Sequence, residues 1–200
     1  MYTKKTQQTR TELLDAFIEL LKQKDISQIS VIDIVNQAQV HRATFYRHFE
    51  DKFDLIQQAE TDIFQSVDAL FEQYVKNDPE IKIDTAGFNT YRVNLLHIFM
   101  DHADFITVML GPNGDLTFEN ALYQKIYQLT ELGFQTIYKL PTQATGKSEF
   151  IGHYAASAAF GVVRQWLKNP TISAQELSNL LDELTIKGLA TTINDITLPE

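Results

Sequence analysis

Two hundred residues, 44% of them apolar and none of them cysteine, make core enough for one or two packed domains and exclude disulfides and thiolate metal sites. A net charge of -9 excludes a chain that binds nucleic acid over its whole surface, and no run reaches the roughly 18 apolar residues of a membrane span. The polar, basic opening Met1 to Arg10 has no secretory pattern, so a soluble cytoplasmic protein is expected.

The charge is unevenly placed. Residues 1–56 hold eight Lys or Arg against eight Asp or Glu, and residues 57–200 hold nine against eighteen. An acidic body repels phosphate, so only the N-terminal part is suited to docking on DNA. An ordinary acidic protein with a chance asymmetry would look the same by charge alone.

In chain order, a first helix is predicted from Arg10 to Lys24, with Thr9 and Glu12 at capping-box spacing and a stripe of Leu13, Leu14, Phe17, Ile18 and Leu21. After a short connection, Ser30 can cap a second helix, Val31 to Ala38. Gln39 and Val40 make a tight turn, and a third helix runs from Arg42 to Phe49. Asp51 is placed to cap a long fourth helix from Lys52 to about Lys76. Residues 77–84, with Pro79, read as a loop. Further helices are expected at Ala86–Asp101, Ala103–Leu110, Thr117–Lys139, Lys147–Lys168 and, behind a Ser173/Glu176 capping box, up to Asn194. Gly111-Pro112-Asn113-Gly114, 141–146 and Asn169-Pro170 break them. No segment alternates with period two, so the class is all-α with about nine helices.

Two short helices joined by a tight turn suit a helix-turn-helix, whose second helix enters the major groove. At 100° per residue, Phe45 and Phe49 share one side of the third helix and face a core. Ala43, Thr44 and Arg47 occupy the opposite side, with Tyr46 on one flank and His48 on the other. Such a helix has an apolar anchor, a base-facing centre and a polar side chain for each phosphate shoulder. Lys52, opening the fourth helix, is placed to add an ammonium and helix N-terminal donors.

The stretch Thr44-Phe45-Tyr46-Arg47-His48-Phe49, with Asp51, Lys52 and the upstream Ile34, Ala38 and Val40, resembles the TetR family signature over about residues 10–56. The resemblance implies an N-terminal three-helix DNA-binding domain (1–52) and a larger helical bundle for effector binding and dimerisation (53–200). It implies that Thr44, Tyr46, His48 and Lys52 hold the DNA backbone and that Arg42, Ala43 and Arg47 fall where bases are read. The family's turn commonly has Gly where this chain has Gln39, and Ser or Thr caps the third helix where this chain has His41. The Leu110-Gly-Pro-Asn-Gly-Asp stretch and Tyr154 to Trp166 resemble the C-terminal region of Gram-positive members that include regulators of dihydroxyacetone kinase genes.

The expected function is a DNA-binding transcriptional regulator, a repressor that binds a near-palindromic operator in double-stranded DNA as a homodimer and is released by a small effector. The alternative is an activator, or a regulator whose signal comes from a partner protein. For the dimer, Gly152, Ala156, Ala159, Val163 and Trp166 align on one face, joined by Leu177, Leu181 and Leu184. For an apolar or aromatic effector, Tyr91, His102, Tyr127, Phe134 and Tyr138 are the candidate contacts. His97, Asp101 and His102 read as structural rather than metal-binding, and Gly146-Lys147-Ser148 lacks the rest of a phosphate loop. With no convergent catalytic set, no enzyme activity, cofactor or metal is expected.

Overall fold

A computed structural model describes residues 4–76, 85–138 and 146–188. Among these residues there are nine α-helices and no strand, as the patterning predicts. They form two compact units: the described residues of 1–66 and 102–120, and those of 67–101 and 121–200. The sequence boundary at 52/53 is therefore not the boundary of packing, because a segment from mid-chain joins the N-terminal unit.

The N-terminal unit begins with α1 (Lys4–Leu21). It starts upstream of the expected Arg10, so Thr9 lies inside the helix rather than capping it. The added turns hold Lys and Gln, good helix formers, and no Gly or Pro that would end them. Leu13, Phe17 and Leu21 are buried on one side. A single 3-10 turn (Ile26–Gln28) leads to α2 (Val31–Gln37), α3 (Arg42–Phe45) and α4 (Lys52–Phe71), which ends in a π turn, Glu72–Lys76.

The unit is completed by α6 (Ala103–Met109), which packs on α1 and buries Phe105, Ile106 and Met109. The loop after α6 is stitched to α1 and its following turn. The Asn113 side-chain amide donates to the Leu21 carbonyl (3.1 Å), and its own carbonyl accepts from the Ile26 N–H (3.1 Å). Phe118, near the start of α7 (Leu116–Tyr138), lies against the Phe105 ring edge to face.

The C-terminal unit holds α5 (Thr85–Asp101), most of α7, α8 (Lys147–Lys168) and α9 (Ala174–Asp182). The Ser173/Glu176 capping box forms as expected. Helix α9 continues as a π turn, Glu183–Lys187, and the rest of the expected helix to Asn194 lies outside the described residues. The expected loops at 77–84 and 141–145 also lie outside them.

The stripe expected to face a second subunit is mostly spent inside its own unit. Gly152, Ala156, Val163, Trp166, Leu177 and Leu181 are buried, and Ala159 is half-buried. The small residues admit a neighbouring helix of the same chain: a Cβ at Gly152 would collide with the Glu131 carboxylate on α7. Trp166 donates its indole N–H to the Ile172 carbonyl (2.7 Å) and so pins the α8–α9 corner. Of the expected contacts, Leu184 alone is exposed. The outward face instead carries Phe150, Tyr154, Ala158 and Gly161 on α8, Leu180 on α9 and Leu184 in the π turn after it.

No helix among the described residues is long and apolar enough to cross a membrane.

Candidate DNA-binding surface and ligand cavity

The surface is built by the turn between α2 and α3. Ser30 and Asp33 form a reciprocal capping box at the start of α2. The Ser30 hydroxyl and N–H, with Lys24 at 3.2 Å, hold the Asp33 carboxyl down at about 2. At the other end, the Val40 N–H bonds the Val35 carbonyl (3.0 Å) and the Gln39 N–H reaches that of Asn36 (3.3 Å). This is the 6→1 and 5→2 pair of a Schellman stop, which needs a left-handed residue between. Gln39 is that residue, at φ 54°, where the family pattern has Gly.

Helix α3 is shorter than expected. It is regular only to Phe45, then tightens: the His48 N–H and the Phe49 N–H both bond the Phe45 carbonyl (2.8 and 2.9 Å). Phe45 and Phe49 nonetheless remain on the buried side, 5.5 Å apart by ring centroid. His41 gives α3 no side-chain cap.

The outward side carries Ala43, Arg42, Tyr46 and Arg47, all exposed, with Thr44 and His48 half-buried. Arg42 donates to the Tyr46 hydroxyl (3.0 Å) and lies over its ring, so these two act as one unit. Arg47 donates from its guanidinium Nη2 to Thr44 Oγ1 (3.4 Å). Burial first, then Arg10 and Arg47, lower the His48 imidazole below its ordinary value, which favours a neutral ring as the hydrogen-bonding group. Lys4 and Lys5 lie in α1, but their side chains are outside the described residues.

Lys52 is not the free cation the sequence suggested. Its ammonium donates to the carbonyls of Ile26 (2.7 Å), Ile29 (2.7 Å) and Ser27 (3.4 Å), three acceptors for three donors. The free N–H groups at the start of α4 are covered as well. Asp51 caps the helix, accepting from Phe53 (2.8 Å) and Asp54 (2.9 Å). A carboxylate in that place repels phosphate. Lys52 thus ties the start of α4 to the turn before α2, a role with no local signal in sequence because its acceptors lie about 25 residues away.

In the C-terminal unit α5, α7, α8 and α9 line a half-open cavity of about 100 Å³. Two of the candidate contacts, Tyr91 and Phe134, are in its lining, together with Phe88, Leu95, Phe99 and Val163. The other ligand candidates are elsewhere. Tyr127 stacks on His153 at 4.4 Å and borders a separate hollow with Lys125 and Glu131. His102 sits at the N-cap position of α6, outside the cavity lining. The Tyr138 side chain is outside the described residues. Sequence reading missed Arg92, which donates to Ser178 Oγ (2.8 Å) and O (2.9 Å) and pairs with Asp182 (2.6 Å). No pattern joins residues some 90 positions apart.

Comparison with known proteins matches residues 13–59 to the family described as bacterial regulatory proteins, tetR family, and residues 89–187 to a transcriptional regulator C-terminal region. The chain is 24% identical over 169 residues to the uncharacterized HTH-type transcriptional regulator YxbF of Bacillus subtilis. That alignment covers 82% of this chain but 41% of YxbF, so the chain spans about two-fifths of that relative's length. Its fold is similar to that of the dihydroxyacetone kinase operon activator DhaS (TM-score 0.56, 20% identity, 92% of this chain and 97% of DhaS). It is also similar to a TetR transcriptional regulator from Streptococcus agalactiae (TM-score 0.55, 24% identity, 89% and 93%).

Proposed function

Because this chain belongs to the TetR family of transcriptional regulators, we propose that it occupies a near-palindromic operator as a homodimer and represses until a small effector releases it. The observation that carries the DNA reading is the outward side of α3. Arg47 stands exposed beside Ala43 and Thr44, while Phe45 and Phe49 anchor the opposite side. A guanidinium there suits guanine O6 and N7 in the major groove, and Tyr46 and His48 suit the phosphate shoulders.

Selection of bound DNA from random sequence, with wild type and Arg47→Ala, tests this. The variant should lose about 1–3 kcal/mol at one or two base pairs per half-site. An unchanged sequence preference removes Arg47 as a reader. A reporter placed behind the selected site then reads the sign of regulation, for which the name of DhaS offers activation as the contrary outcome.

Two recognition helices must lie about one DNA turn apart, which a dimer provides. The outward apolar stripe, Phe150, Tyr154, Ala158 and Gly161 with Leu180 and Leu184, is the surface we assign to it. Ala158→Glu places an unpaired charge there and should yield a monomer in sedimentation, whereas an intact dimer would move the interface elsewhere. The cavity supports a small molecule rather than a partner protein as the signal. The effector acts by binding unequally to two states of the protein, with α4 as the lever.

A further inference from the structure

The two arginines of the α3 region are drawn to different sides of the helix. Arg47 donates to Thr44 Oγ1. Arg42 instead donates from Nη2 to the Tyr46 hydroxyl (3.0 Å), and its guanidinium lies over the Tyr46 ring, 5.3 Å from the centroid. At 100° per residue Arg42 stands about 40° around the helix from Tyr46 and about 140° from Arg47. It therefore belongs to the Tyr46 flank, not to the centre of the outward side where Ala43 and Arg47 stand. The family signature implies a base reader at position 42. The place of Arg42 on this helix implies a shoulder residue, and a shoulder of the major groove is phosphate.

The pair is braced from within. Tyr46 packs edge to face with Phe45, 5.6 Å by ring centroid, and Phe45 is fully buried. The phenol thus has the core beside it and a cation over its face, an arrangement that holds both side chains in place. The hydroxyl oxygen already accepts from the guanidinium, so its own proton is left to give. A bond from a cation polarises the hydroxyl and makes it a stronger donor. The guanidinium carries further N–H donors besides the one spent here. Both side chains are exposed, and no carboxylate pairs with Arg42 among the described residues. A cation and a hydroxyl donor side by side at the surface complement an anion with several oxygens, as a phosphate is.

We propose that Arg42 and Tyr46 form a clamp that grips a single backbone phosphate in each half-site. The guanidinium supplies the charge, and the tyrosine O–H supplies a directed donor to the same phosphate. Arg42 then contributes affinity, while sequence is read by the face that holds Ala43 and Arg47. The proposal rests on reading α3 as the recognition helix and divides its side chains between phosphate and base.

The test uses the full chain and a duplex that wild type selects from random sequence, with binding followed by fluorescence anisotropy over a salt series. Arg42→Gln should lower the salt slope by about one unit per half-site and leave the selected sequence unchanged. Arg42→Lys keeps the charge and should restore most of the slope. Tyr46→Phe should weaken binding about tenfold with the slope unchanged. In the Arg42→Gln background the same tyrosine change should cost about threefold or less, because the two act together. On the DNA, a neutral methylphosphonate replaces each phosphate in turn. Among the positions that weaken wild type, the same one should lose its effect in Arg42→Gln and in Tyr46→Phe. Both residues lie at the surface, so the melting curves of these variants should match wild type.

The proposal is overturned if Arg42→Gln changes the preference at a base pair, if it leaves the salt slope unaltered, or if the two variants lose sensitivity at different phosphates. A wild type that selects no sequence removes the recognition-helix reading and the clamp with it. Any of the three former results with a wild type that does select one removes the clamp alone.

Discussion

The reading head and the apolar interiors of this protein treat polar groups in opposite ways. In the head each is closed on a nearby partner: Ser30 with Asp33, Asp51 with the first donors of α4, Lys52 with three carbonyls. Away from the head are two that the fold disfavours. Tyr91, buried in the C-terminal unit, has no partner, and Glu60, half-buried on α4 in the N-terminal unit, is pushed up to about 7 by burial and by Asp115. The contrast separates rigidity from readiness. Removing a polar group from the head should cost stability, and removing one from an interior should restore it.

The largest effect is expected at Glu60, where the contrast breaks first if it is wrong. Its carboxyl titrates near 4.5 unfolded and about 7 folded, so the folded state holds the extra proton between those values. Stability is then full below pH 4.5 and falls as pH rises to 7, by about 1–3 kcal/mol after allowing for partial exposure. Glu60→Gln should melt higher than wild type at pH 8 and show a flatter pH dependence across that window. Parallel melting curves between pH 5 and 7 would refute the assignment.

A smaller effect separates two roles for Lys52. If its ammonium stays on the carbonyls, Lys52→Met loses about 1–2 kcal/mol of stability and leaves the salt dependence of operator binding unchanged. A salt slope lower by about one unit would show that the lysine leaves the turn for a phosphate.

The smallest concerns Gln39. A non-glycine residue in left-handed backbone carries a cost, and Gly relieves it while adding disorder to the unfolded chain. Gln39→Gly should gain up to about 1 kcal/mol in thermal melts, and a loss would mean that the glutamine side chain itself supports the turn.

These regions also differ in how legible they are. The head is written in adjacent residues: the Ser30 cap, the Gln39 turn, the Phe45 and Phe49 pair and the exposed Arg47 all follow from spacing. The carbonyls that hold Lys52 were not legible, because they come from another element. In the body, periodicity located the helices but could not say which of two apolar faces on α8 turns inward. Gly152 and Ala156 look like a surface for a partner until α7 is seen to fill it. The Arg92–Asp182 pair and the shape of the cavity arise only when four helices meet, and no local pattern carries that.

The stitch made by Asn113 bears on how this protein could be taken apart. A fragment ending after α4 would leave the Leu21 carbonyl and the Ile26 N–H without their partner and would bare the side of α1 that α6 covers. Here the part that must travel comes in two pieces of chain, the N-terminal helices and the segment 102–120. A chimera joined at a single point should aggregate or bind DNA poorly, whereas one that transplants both pieces should keep its operator.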